Sequence, residues 1–242
     1  MRRGIASFPT TAGLPFPELA ARAEALGYES LFVPEHSHLP LAETTFPNGA
    51  PTTWAHGACL DPFVALTAAA CATSTLLLGT GVALLAQRDV FMTAKQVASL
   101  DVVSGGRAVF GIGPGWNRTE MRNHGLDPAL RVPVMLEKLA AVKALWTQDT
   151  PEFHGRYVSF GPCRQEPRPV QTPHPPVLIG GGAAGVLDRV VAHADGWCPV
   201  LDDGYEVLDR VSRLRDLGEA AGRRLSVTVF AHAARRGRAR VR

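Results

Sequence analysis

The sequence predicts an α/β fold built on a parallel sheet, and three observations carry that prediction. Short apolar, strand-like runs alternate with stretches of helical periodicity, which is the order of βα units. Glycine and proline punctuate the places where those runs must start or stop. At 242 residues, 46% of them hydrophobic, the chain is long enough for one large core, and α/β barrels of this size form a single domain.

Gly4–Phe8 predicts the first strand and Phe16–Leu26 the first helix, with Pro17 in its opening turn and Gly27 ending it. Ser30–Pro34 is the second strand. A long, polar, proline-rich loop follows from Glu35 to Leu60. Asp61-Pro62 then opens a helix as N-cap and first helical residue, running to about Thr73. Leu76–Leu84 is the third strand, and Asp89 caps a helix to about Val103 that Ser104-Gly105-Gly106 ends before the fourth strand, Arg107–Ile112.

From about Ala129 to Trp146, Leu130, Val134, Leu136, Leu139, Val142 and Leu145 recur at three- and four-residue steps, an amphipathic face suited to covering a sheet. Between Thr150 and Pro176 seven prolines exclude regular structure beyond a short Tyr157–Phe160 hairpin strand, so the segment reads as a surface insertion. Val177–Gly180, Gly196–Val200 and Ser226–Ala231 are strands five, six and seven, separated by helices over Ala183–His193 and Tyr205–Ala221. Residues 1–234 form one domain, and 235–242, rich in arginine, form a tail with no room for an eighth strand and helix.

A charged fraction of 19%, an aromatic fraction of 7% and a net charge of +3 exclude the disordered and strongly nucleic-acid-binding classes and point to a small-molecule protein. No run approaches the roughly 18 apolar residues of a membrane span. Although Met1-Arg2-Arg3 resembles the start of a signal peptide, Gly4–Pro9 is too short to continue one, so a cytoplasmic protein is expected. Cys59, Cys71, Cys163 and Cys198 have neither disulfide-framework nor zinc-ligand spacing and read as small buried residues in a reducing compartment.

In a parallel α/β protein ligands sit beyond the C-terminal ends of the strands, which directs attention to the residues that follow each one. Gly180-Gly181-Gly182-Ala183 passes from a strand into a helix, where backbone N–H groups can converge on a phosphate. Gly111 through Trp116 fails the dinucleotide fingerprint because Trp116 stands where its third glycine belongs, while Gly113 and Gly115 leave room for a flat ring or its side chain and Trp116 can wall the pocket. Asn117 and Glu120 have the spacing of a capping box.

His36, two residues past the second strand, can exchange a proton near neutral pH. Glu35 either orients it or ends the strand. With His38 it forms a His-x-His pair of the kind that supplies two ligands in metal-dependent barrel hydrolases, but the loops after strands four to six offer no further ligand until Asp202 and Asp203, so no metal is assigned. No G-x-S-x-G elbow or H-E-x-x-H helix occurs.

The run from Glu29 to His36, Leu78 to Val82, Gly105 through Trp116 and Asn117 to Glu120, and Ile179 to Gly182 together resemble the luciferase-like monooxygenase family, in particular its F420-dependent oxidoreductases. The resemblance covers nearly the whole chain. It implies a TIM-type (β/α)8 barrel, here lacking the eighth strand and helix, a homodimer, and hydride transfer between F420, or alternatively FMN, and a small organic substrate. It places His36 beside the reactive ring carbon, Gly81 and Val82 in a strand-three bulge behind the ring, Pro114, Gly115 and Thr119 along the ribityl chain, and Gly180, Gly181, Gly182 and Ala183 at the phosphate. Trp116 and Asn117 complete the expected cofactor contacts. A barrel left non-catalytic by the missing strand is the remaining alternative.

Overall fold

The computed structural model describes residues 3–46, 49–201 and 205–231. Seven parallel strands form one curled sheet, ordered in space as in sequence: β1 (Gly4–Ala6), β2 (Ser30–Val33), β3 (Leu77–Thr80), β4 (Ala108–Ile112), β5 (Val177–Gly180), β6 (Gly196–Cys198) and β7 (Ser226–Val227). Helices α1 (Phe16–Ala25), α2 (Trp54–Ala58), α3 (Pro62–Cys71), α4 (Val90–Ser104), α5 (Arg118–Asn123), α6 (Arg131–Thr147), α7 (Val186–His193) and α8 (Tyr205–Ala220) fall in the connections. The expected α/β class and strand order are present, and the Arg-rich tail lies outside the described residues, as do Asp202 and Asp203.

Strand alternation divides the apolar residues into two sets. Leu31, Val33, Leu78, Phe110, Ile112, Val177 and Ile179 point outward and are buried with Ala94, Val97, Leu139 and Val142 of α4 and α6. Phe32, Leu178 and Cys198 point inward, joined by Val82, Val109 and Phe230. The inner set is sparse because inward positions carry glycine. A Cβ on Gly79 would strike the Phe32 ring, one on Gly111 the Thr80 carbonyl oxygen, and one on Gly180 would lie 2.8 Å from a Val82 methyl. The inside of the sheet is thus packed by side chains lying over bare backbone.

Charged side chains tie the connections down. The Arg107 guanidinium donates to the carbonyls of Ala70 (2.9 Å), at the end of α3, and of Thr73 (3.0 Å) and Leu76 (2.9 Å), in the connection from α3 to β3. Glu24 accepts the N–H groups of Ser74, Thr75 and Leu76, and although burial alone pushes its carboxyl up, these bonds hold it at about 2. The proline-rich excursion, whose hairpin pairs Phe153–His154 with Ser159–Phe160, is pinned to α4 by buried Asp101, which accepts from Val170 N (2.8 Å) and Gln171 N (3.0 Å).

Several boundaries differ from expectation. The third strand ends at Thr80, not Leu84: the Gly81–Val82 peptide is cis and residues Leu85–Gln87 form a 3-10 turn. The sixth strand breaks at Pro199, which has no N–H for a ladder, and Val200–Leu201 pairs separately with Phe230–Ala231. The helix expected from Ala183 begins at Val186, because Gly185 adopts φ +73° immediately before it. Cysteine burial is also corrected: Cys198 is buried, Cys59 and Cys163 are half-buried and Cys71 is exposed, all four free.

Gly111→Ala should cost about 1–3 kcal/mol, since the obstructing atom is backbone and cannot rotate away. Gly161→Ala, where a Cβ meets nothing within 4 Å, should stay within about 0.5 kcal/mol of wild type. Urea denaturation of both variants measures the contrast.

Candidate functional site

Three loops meet beyond the C-terminal ends of β2, β3 and β4. From the first, His36 reaches the third: its Nδ1 lies 2.9 Å from one Glu120 carboxylate oxygen, while the other accepts the Ser37 backbone N–H at 2.9 Å. The imidazole is 7% exposed and the carboxylate 1%. Burial pushes the Glu120 carboxyl up, but the hydrogen bond and charge of His36 and the Ser37 N–H outweigh it and hold the group below the usual carboxylate range. With Nδ1–H donated to the carboxylate, a neutral ring keeps Nε2 as its acceptor.

The capping box expected at Asn117 is half realised. Asn117 Oδ1 accepts from Glu120 N at 2.8 Å, but the Glu120 side chain turns to His36 and Ser37 instead of its own cap, because a buried carboxylate gains more from a charge-assisted pair. Asn117 Nδ2 donates to the Glu43 carbonyl (2.9 Å), and Thr119 N donates to the Glu43 carboxylate (2.7 Å). Both residues therefore hold the long loop after β2 over α5.

An aromatic group surrounds the imidazole. Trp116 stands 5.6 Å from His36, between ring centroids, and 4.5 Å from Phe46; His56 stands 5.7 Å from His36. His56 belongs to α2, inside a loop read from sequence as irregular. Burial lowers its pKa, reinforced by the nearby His36 charge, which favours a neutral ring. The Thr53-x-x-His56 spacing, with both side chains satisfying backbone or each other across the first turn, is a signal that could have marked this helix.

The remaining expected positions are distributed as follows. Val82 fills the space beside Gly113 and Gly180, and the space beside Gly115 (φ +75°) is taken by Met121, Gln87 and Leu84. The room these glycines provide thus receives the chain's own side chains. Gly81 backs onto Phe32 and Phe230, and Pro114 leads into the Gly115 turn. Gly181, Gly182 and Ala183 form an exposed loop ahead of α7. Arg210 donates to the Gly182 carbonyl and Arg189 to that of Ala184 (3.0 Å), bringing two guanidiniums that sequence reasoning did not connect to this loop.

His38 bonds Ser37 Oγ (2.8 Å) and Asn123 (2.8 Å), so the His-x-His pair diverges toward separate partners. Glu35 lies two residues past the end of β2 and does not orient His36. It pairs with Arg88 and accepts Leu84 N at 2.7 Å, and burial pushes its carboxyl up despite that guanidinium. A cavity of about 510 Å³ opens between these loops, with His36, Ser37 and Glu120 on one side and Gln87, Arg88 and Asp61 on the other.

Glu120→Ala should destabilise the protein by about 1–3 kcal/mol at pH 7, since it strands the Ser37 N–H and the imidazole. The folded carboxyl titrates below its unfolded value, so its contribution is complete above about pH 4.5 and is lost as pH falls through the depressed value. The gap between variant and wild type, followed by urea denaturation, should narrow over that range.

Comparison with known proteins agrees with this architecture. The luciferase-like monooxygenase family model matches residues 12–240. An uncharacterized protein of Mycobacterium tuberculosis is 38% identical over 229 residues, 92% of this chain and 80% of its own. The crystal structure of the monooxygenase RslO1 from Streptomyces bottropensis superposes with a TM-score of 0.81 at 26% identity, covering 95% of this chain and 70% of that one. The coenzyme F420 dependent tetrahydromethanopterin reductase of Methanopyrus kandleri shares the fold, with a TM-score of 0.70 at 22% identity over 96% of this chain and 65% of that one. The family model, matched over nearly the whole chain, establishes that the chain belongs to the luciferase-like monooxygenase family.

Proposed function

We propose that this protein is an oxidoreductase that binds F420, with FMN as the alternative, at the C-terminal mouth of its sheet, and that His36 handles the proton of the reaction with a small organic substrate. The observation that carries the reading is the buried His36–Glu120 pair at the edge of a cavity. Either cofactor would supply hydride transfer, and FMN would add oxygen activation. The residues present fit such a group. Val82 offers an apolar surface backed by glycine, Trp116 and His56 stand beside the His36 imidazole and hold it at the cavity, and Arg189 and Arg210 bring positive charge to the glycine loop where a phosphate would sit. F420 is named first because the sequence motifs resemble the F420-dependent branch of the family.

Glu120 fixes the ring orientation of His36 and balances its positive charge, so the imidazole can take up or release a proton at Nε2 without moving. A homodimer belongs to the same reading, supported by α3, whose apolar sequence leaves Val64 66% exposed. No helix among the described residues is long and apolar enough to cross a membrane, and we place the protein in the cytoplasm.

Fluorescence titration with F420 and FMN tests the reading. Saturable binding is expected, with F420 preferred, and His36→Ala should lower turnover by about 100-fold or more while leaving cofactor affinity within a few-fold. Binding of neither cofactor by the folded protein, or unchanged turnover in His36→Ala, contradicts it.

A further inference from the structure

Among the described residues the only buried side-chain nitrogen or oxygen atoms without a hydrogen-bond partner are the two of one carboxamide, Nε2 and Oε1 of Gln87. Buried amides are paired in the great majority of structures, and leaving both ends unmet is costly, so a group of this kind calls for a partner. The position is also held firmly. Lys138 Nζ donates to the carbonyls on either side, Ala86 at 2.9 Å and Arg88 at 2.5 Å, which clamps the 3-10 turn that carries Gln87. The facing loop lies against the amide: a Cβ on Gly115 would be 3.4 Å from Nε2, an ordinary contact. Gln87 lines the same cavity as His36 and Glu120.

We propose that the Gln87 carboxamide binds a ligand through a neutral amide edge, one C=O and one N–H side by side, in the cavity shared with His36. An amide with donor and acceptor both unmet is matched by a group offering the complementary acceptor and donor. Charge disfavours an anion. Glu35, Asp61, Asp89 and Glu120 line the cavity, and its guanidinium, Arg88, is already engaged by Glu35, Thr93 (3.3 Å) and Gln96 (2.7 Å). Two sources present such an edge: the pyrimidinedione ring of a flavin or deazaflavin, which rests on the function proposed above, and a substrate carrying a lactam or carboxamide, which does not.

The test compares wild type with Gln87→Leu and, should that variant fail to fold, Gln87→Met. Affinities are measured for F420, FMN, FMN methylated at the ring imide nitrogen, and benzamide, together with the Tm of the ligand-free proteins. The Tm should rise in the variants, because an unmet buried amide is removed. If the cofactor supplies the edge, the variants bind F420 or FMN about tenfold more weakly and no longer distinguish FMN from its methylated form. If the substrate supplies it, cofactor affinity is unchanged and benzamide binding is lost. Unchanged affinity for every probe that wild type binds, or a fall in Tm without a change in affinity, overturns the proposal. Failure of wild type itself to bind F420 or FMN sinks the cofactor reading alone and leaves the benzamide comparison to decide on Gln87.

Discussion

The close approach of β3 to β4 is the constraint on which the site depends. Thr80 Oγ1 donates to the Gly111 carbonyl at 2.6 Å, Ala83 N donates to the same oxygen at 2.8 Å, and Gly113 N returns a bond to the Ala83 carbonyl at 3.0 Å. No side chain fits between the strands there, which is why position 111 is glycine and why Val82 can lie over Gly113 and Gly180. The loops leaving β3 and β4 therefore start from fixed points. Glu35, bonded to Leu84 N and Arg88, locks the loop after β2 to the same frame.

Within that frame the His36–Glu120 pair is a structural link and, in the function proposed above, the chemical centre. It joins residues 84 positions apart, and the same carboxylate holds the Ser37 backbone. A buried carboxylate is expensive unless its partners are in place, and here an imidazole and an N–H meet it. The arrangement gives a histidine of fixed orientation beside a cavity, surrounded by aromatic rings, which is what a proton-handling group in a reaction on a bound ring requires.

Much of the fold was legible because hydrophobic periodicity and helix punctuation are local. Asp61 and Asp89 cap their helices as read, accepting from Phe63 N, Val64 N and Met92 N, and each sheet strand falls inside its predicted segment. What was not legible depends on tertiary partners. The spacing of Asn117 and Glu120 suggested a local cap, whereas the carboxylate found a histidine 84 residues away. Arg107 read as the first residue of a strand and proved to be a clasp on four carbonyls. Gly113 and Gly115, just past β4, suggested room for a ligand; they make room for Val82, Met121 and Gln87, a distinction that composition does not encode.

A crystal structure of the protein with F420 or FMN bound tests the central claim most directly, that the cofactor ring sits at the sheet mouth beside the His36–Glu120 pair. The expected result is a ring in contact with the His36 imidazole and with Val82, the His36–Glu120 hydrogen bond intact. A ring seated away from His36, or a pair broken on binding, would contradict it.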